Sequence, residues 1–154
     1  MNKKIRIVII ILIAAVGIPF GVYTISPIFT SSTVNESLPT TTVDATGAKS
    51  YSGNFTGAGD GIHNAAGTAK VVALGDGSKI LRLENFRSTN GPNVHVYLST
   101  DKRPSDYVDL GKIKANNGNQ NYNIPNGSDL NKDRFVLIWC KDFSVLFGSA
   151  ELRI

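Results

Sequence analysis

From Ile7 to Ile25 the chain reads IVIIILIAAVGIPFGVYTI, 19 residues without a charge, and no other feature so narrows what the remainder can fold into. A run of this length suits an α-helix crossing a bilayer, which needs about 20 apolar residues. Lys3, Lys4 and Arg6 precede it. Basic residues beside a span favour the cytoplasmic side, so everything after Ile25 is expected outside the cytoplasm. The alternative is a cleaved signal peptide, whose apolar core is usually about 7 to 15 residues long and ends at a small-x-small site. Ala14-Ala15 lies too early for that site and no A-x-A follows Phe20, although Pro19 between Gly17 and Gly21 could end a signal core. An uncleaved anchor, touching the membrane through residues 7–25, is the favoured assignment for 1–25. The expected location is the cell membrane, single-pass with an extracytoplasmic C-terminal domain, or secretion if the segment is cleaved.

Residues 26–50 hold 11 Ser or Thr with Pro27 and Pro39 and few groups that could be buried, which predicts a flexible linker. Residues 51–154 then form one domain. Within it 12 basic residues face 10 acidic ones. They are scattered, without a basic stripe or aromatic-basic interleaving, so nucleic acid is not an expected partner. A single cysteine, Cys140, rules out an intramolecular disulfide, so the core must hold the fold, and an unpaired thiol outside the cytoplasm stands out.

Short apolar runs between Gly, Asn, Ser and Pro clusters predict an all-β domain, a single antiparallel sandwich or barrel of about eight strands. They lie near Tyr51 to Thr56, Thr68 to Leu74, Lys79 to Phe86, Val94 to Thr100, Tyr107 to Lys114, Asn121 to Ile124, Arg134 to Cys140 and Val145 to Arg153. Gly75-Asp76-Gly77-Ser78 predicts a hairpin turn, since Gly and Asp tolerate the backbone such turns demand. Alternation puts Val94, Val96 and Leu98 on one face and His95 and Tyr97 on the other. RFVLIWC, residues 134–140, is apolar on both faces, as a central strand would be, with Val136, Ile138 and Cys140 opposite Phe135, Leu137 and Trp139.

Three chemistries compete for Cys140. As a small apolar residue it would simply pack. As a thiolate it could bind metal: His63, His95 and Cys140 are the domain's imidazole and thiol groups, and a trigonal His2Cys set is what blue copper uses. No histidine follows Cys140, however, and the only methionine is Met1. Zinc would need closer ligand spacing, and haem ligated by cysteine or histidine is chemically available without a motif that calls for it. As a nucleophile, Cys140 would need a base, His63 or His95, and an anion stabiliser such as Arg153. That outline is sortase-like, but sortases carry Thr-Leu-x-Thr-Cys where this chain has Leu137-Ile138-Trp139-Cys140.

The run Phe135 to Leu152, FVLIWCKDFSVLFGSAEL, resembles the C-terminal signature of the DM-thirteen, or electron-transfer DM, domain family. Gly53-Asn54-Phe55 with Gly57, His63 and Gly67-Thr68 is similar to that family's opening. Gly91-Pro92 before Val94 to Ser99 resembles its middle, and Leu110-Gly111, Gly118 to Tyr122 and Ile124-Pro125 fill the stretch before the cysteine. The resemblance implies an extracellular or periplasmic sandwich-like domain with a characteristic cysteine, here Cys140. In animals such domains occur beside DOMON and cytochrome b-type modules, and electron transfer was inferred from that company. Neither module is visible in this sequence, so a separate redox protein or a bound cofactor, copper or haem, would be the electron partner. The expected function is therefore a membrane-tethered redox accessory domain centred on Cys140, with His63 and His95 as helpers, rather than a stand-alone enzyme. The alternative is a non-catalytic surface binding or adhesion module with a structural cysteine, meeting a surface protein through loops near Asp60 to Asn64 and Asn116 to Gln120.

Overall fold

The computed structural model describes residues 2–39 and 50–154. Helix α1 spans Lys3–Ile25, and the Asn2 side chain caps it by accepting from the Lys4 amide. At 1.5 Å per residue its 23 residues extend about 35 Å. The helix is long and apolar enough to cross a membrane and buries none of its residues. A 3-10 turn, Ser26–Phe29, follows directly.

Ten strands follow among the described residues: β1 (Thr33–Asn35), β2 (Ser52–Asn54), β3 (Thr56–Gly57), β4 (Ala65–Ala73), β5 (Lys79–Ser88), β6 (Val94–Ser99), β7 (Tyr107–Lys112), β8 (Asn117–Ile124), β9 (Phe135–Cys140) and β10 (Val145–Glu151). They form two five-stranded sheets, ordered β1-β8-β5-β4-β2 and β3-β10-β9-β6-β7. The inner faces supply one core, with Ala69, Leu81, Leu83, Tyr122 and Ile124 from the first sheet meeting Val94, Val96, Leu98, Val136, Ile138 and Phe147 from the second. This is the expected all-β sandwich. Transfer of these side chains from water, worth about 1.5–3 kcal/mol for each large one, is its main stabilisation.

Each of the eight predicted runs contains strand structure, and two of them differ instructively. Tyr51 to Thr56 splits, because Phe55 turns into the core between β2, which pairs with β4, and β3, which pairs with β10. The chain changes sheets at that residue. Strand β8 starts at Asn117, four residues before the predicted run, on polar residues held by backbone pairing rather than by burial. The predicted hairpin closes as Leu74 N–H donates to Ser78 O, while Asp76 Oδ1 accepts from the Ser78 amide and hydroxyl. β9 is the central strand of its sheet, as its two apolar faces require.

The linker expectation needs a correction for its first half. Thr33, Val34 and Asn35 pair in parallel with Asn117, Gly118 and Asn119, so β1 is an edge strand and the one parallel pairing in an otherwise antiparallel fold among the described residues. Polar side chains fix the flanks. Asn90 donates to Thr30 O, Asn116 Oδ1 accepts from the Ser32 amide, and Asn117 donates to Ser31 Oγ. Glu36 accepts from Lys114 Nζ at 2.6 Å and from the Asn121 amide at 2.6 Å, and Arg82 donates to Glu36 O. Burial opposes ionisation of Glu36, but the Lys114 ammonium and the Asn121 amide outweigh it and hold the carboxyl below its usual range. The tail of the expected linker, 40–49, lies outside the described residues.

These contacts define the two ends of the sandwich. At the end nearest α1 lie the loops 58–64, 89–93, 113–116 and 141–144, tied together as Thr89 N donates to Asn64 O, Ser88 N to Asn116 O and Lys141 N to Asn93 O. The hairpin 74–78 and the connections 100–106 and 125–134 lie at the other end.

Candidate functional site

Cys140 ends β9, and its position is dictated by register: it is paired with Val94 on one side and Val145 on the other. It is a free thiol, 1% exposed, within the core cluster. Lys141 and Asp142 immediately beyond it are exposed. The thiol is thus enclosed by aliphatic neighbours one residue before the chain reaches solvent.

The two histidines lie elsewhere. His95 is paired with Trp139, and because side chains alternate along a strand, it shares the outer face with Trp139 while Cys140 points inward. The sheet separates them. His63 sits in the 58–64 loop, where its ring lies against Phe147 at 4.5 Å between centroids and its Nδ1 meets Asp60 Oδ2 at 2.6 Å. That ring contact and the His63 and Ile62 amides hold the Asp60 carboxyl well below its usual range. The His63, His95 and Cys140 set is therefore not brought together, and among the described residues no group of three or more His, Cys, Asp or Glu could hold a metal ion. Arg153 is also remote: it binds Glu151 and pairs through its backbone with Ser52. The geometry of these three residues does not fit a His2Cys copper centre.

The structure instead shows a polar chain around the outside of the Cys140 end. His95 Nδ1 meets Asp109 Oδ1 at 2.9 Å and its Nε2 meets Asn93 Oδ1 at 3.0 Å. Asn93 Nδ2 donates to Asp142 Oδ1, whose other oxygen accepts from Tyr23 OH of α1. Lys141 Nζ donates to Asp109 Oδ2 at 3.3 Å. Because Asn93 must present its NH2 to the Asp142 carboxylate, its oxygen faces His95, and both imidazole nitrogens then face acceptors. Burial opposes ionisation of Asp109, yet the hydrogen bonds from His95 and the Gly111 amide win, and its carboxyl is lowered. Asp142 is lowered by Asn93 first and Tyr23 second.

Aromatic rings continue the outer face. Tyr97 lies edge-on to His95 at 6.2 Å and stacks on Tyr107 at 4.3 Å. Burial, aided by the Asp109 charge, pushes the Tyr97 phenol up to about 12. That His95 and Tyr97 share a face was readable from alternation. Asp109, Asn93 and Asp142 were not, because their meeting depends on the β6–β7 register and on the turn after β9; the only signal was the charged Lys141-Asp142 pair that ends the apolar strand.

A family model described as Electron transfer DM13 matches residues 57–152. The chain belongs to the electron transfer DM13 family. Neither curated proteins nor solved structures provide a match to it. The matched range of this DM13 domain runs from Gly57, the last residue of β3, to the residue after β10, so it includes β4 to β10 with the Cys140 end, and leaves α1, β1 and β2 outside.

Proposed function

We propose that this chain is a membrane-tethered, extracytoplasmic electron-transfer accessory domain, with α1 as its anchor and Cys140 as its redox thiol. The observation that carries the redox part is the DM13 family match across 57–152. The tether is supported by the 23-residue apolar helix and the basic residues ahead of it. The electron partner is a separate redox protein.

The enclosure of the thiol bears on how such a role would work. With Val94 and Val145 flanking it, Cys140 is shielded from direct attack by solutes and exposed by opening of the β9–β10 turn, the short segment 141–144. The same burial supports the second reading, a binding module in which the cysteine packs. Reactivity separates the two. The purified protein is titrated with a thiol reagent across pH and its absorption spectrum and metal content recorded, before and after exposure to an oxidant. A thiol that reacts in the native state faster than global unfolding allows supports the redox role. A colourless, metal-free protein whose thiol reacts only at the global unfolding rate refutes it. Cys140→Ser then reports the packing contribution: a hydroxyl placed in this apolar site without a partner costs about 1–3 kcal/mol in urea unfolding, whereas Cys140→Ala adds no polar group.

A further inference from the structure

The membrane-facing end of the sandwich is fixed by what lies between α1 and the domain. After Ile25 the chain makes the four-residue turn Ser26–Phe29, and from Thr30 onward it is bonded to the domain by Asn90, Asn116, Asn117 and the β1 pairing. That leaves no slack. The domain is also in contact with the helix itself: the Phe143 ring, at the tip of the β9–β10 turn, lies edge-on to Phe20 at 6.5 Å, and Tyr23 OH donates to Asp142.

Phe20 is five residues before the end of α1, which is about 7.5 Å of helix rise below it. With α1 across a bilayer, Tyr23 sits at the headgroup level where tyrosines concentrate, and Phe143 beside Phe20 reaches the acyl boundary. The apolar side chains left exposed on the domain agree with that placement. Phe29 is 82% exposed, Ile62 74% and Phe143 43%, and all three lie at the end nearest α1. Of the charged groups at this end, Lys114 pairs with Glu36 and Lys141 with Asp109, while Asp142 accepts from Asn93 and Tyr23 and Lys112 donates to Pro92 O.

Resting on the tether reading above, we infer that the DM13 domain is seated on the bilayer, with Phe143 and Ile62 inserted at the boundary between headgroups and acyl chains. The occupant of this face is lipid. Because the inserting side chains are apolar and the Lys114 and Lys141 ammonium groups are already paired with carboxylates, insertion does not depend on anionic headgroups.

The full chain is incorporated in phosphatidylcholine vesicles, and an indole is introduced by Phe143→Trp, by Ile62→Trp or, as a control at the far end, by Asn126→Trp. Asn126 is exposed in the 125–134 connection. The emission of Trp139, the single native tryptophan, is measured in the unmodified chain and subtracted. With lipids brominated along the acyl chain, the indoles at 143 and 62 are quenched by at least about twofold more than that at 126, because the boundary lies only about 5–10 Å into the membrane. Adding phosphatidylserine or salt leaves the ratio unchanged. Equal quenching at all three positions in chains that float with the vesicles overturns the seating while leaving the tether intact. Failure to float overturns both. Quenching that appears only with phosphatidylserine and vanishes in salt refutes apolar insertion in favour of electrostatic attraction.

Discussion

Gly118→Ala is the sharpest test of how β1 is held. Gly118 has φ of +103°, and a Cβ built on it would stand 2.0 Å from Val34 O and 2.9 Å from Asn35 Oδ1, both on β1. Two penalties are therefore expected. Holding alanine in this backbone region costs on the order of 1–3 kcal/mol wherever it occurs. The overlap with Val34 is additional and vanishes only if β1 departs. The hold on β1 is modest: its hydrogen bonds contribute about 1 kcal/mol each, opposed by about 1–2 kcal/mol for every residue ordered, leaving a net of a few kcal/mol at most. An overlap of this size exceeds that margin, so Gly118→Ala should release residues 30–37 while the sandwich stays folded. Gly111→Ala is the matched control, with φ of +110° and nothing within 4 Å of the added carbon. Gly111→Ala should lower the urea midpoint by an amount equivalent to about 1–3 kcal/mol, and Gly118→Ala by that amount plus the net contribution of the released β1. Only Gly118→Ala should accelerate amide exchange across 31–37, including the Glu36 amide that donates to Asn119 O. Retained protection there in Gly118→Ala, or equal loss in Gly111→Ala, refutes the close approach as the reason for glycine at this position.

Two further outcomes follow from titratable groups. Burial raises the Tyr122 phenol to about 12, so its neutral form is favoured in the folded state; stability is whole below the ordinary tyrosine value and falls as pH rises from about 10 towards 12, by about 2–3 kcal/mol at the limit. Urea unfolding at stepped alkaline pH should show that loss, reduced in Tyr122→Phe, and an unchanged slope in that variant would contradict the assignment. Asp109 and Asp142 are shifted the other way, so the stability they contribute is present above the ordinary carboxylate range and is lost as pH falls through their lowered values. Amide exchange in 141–144, corrected for its intrinsic pH dependence, should be flat from neutrality down to about pH 5 and rise below about pH 4. A flat profile to the lowest pH at which the domain stays folded would exclude the carboxylates as the clasp on that turn.

Much of the fold was legible because burial writes a pattern. RFVLIWC reads as a central strand, and parity alone puts Val136, Ile138 and Cys140 on one face and sets His95 opposite Val94 and Val96. What parity does not give is register. A slip of one residue in pairing exchanges the faces, so whether His95 and Cys140 meet could not be read from either strand alone. The pairing of Val94 with Cys140 decided it and set the two on opposite sides. β1 was illegible for a different reason. Thr33 to Asn35 bury little, and their order comes from backbone pairing to β8 and from asparagine and glutamate side chains whose partners lie more than 80 residues away. A Ser/Thr-rich composition is equally compatible with a free tether, and only the three-dimensional placement of Asn116 to Asn121 distinguishes the two.

The pinning of β1 also governs where a partner can be met. A free linker of 25 residues would let the domain sample a volume some 25–30 Å across. A four-residue 3-10 turn extends about 8 Å and, being ordered, permits little sampling at all. For a chain tethered as proposed, encounter becomes a search in the plane of the membrane. A redox protein diffusing in the aqueous phase would find Cys140 on the side it cannot approach, whereas one embedded in the same bilayer would arrive already at the right height.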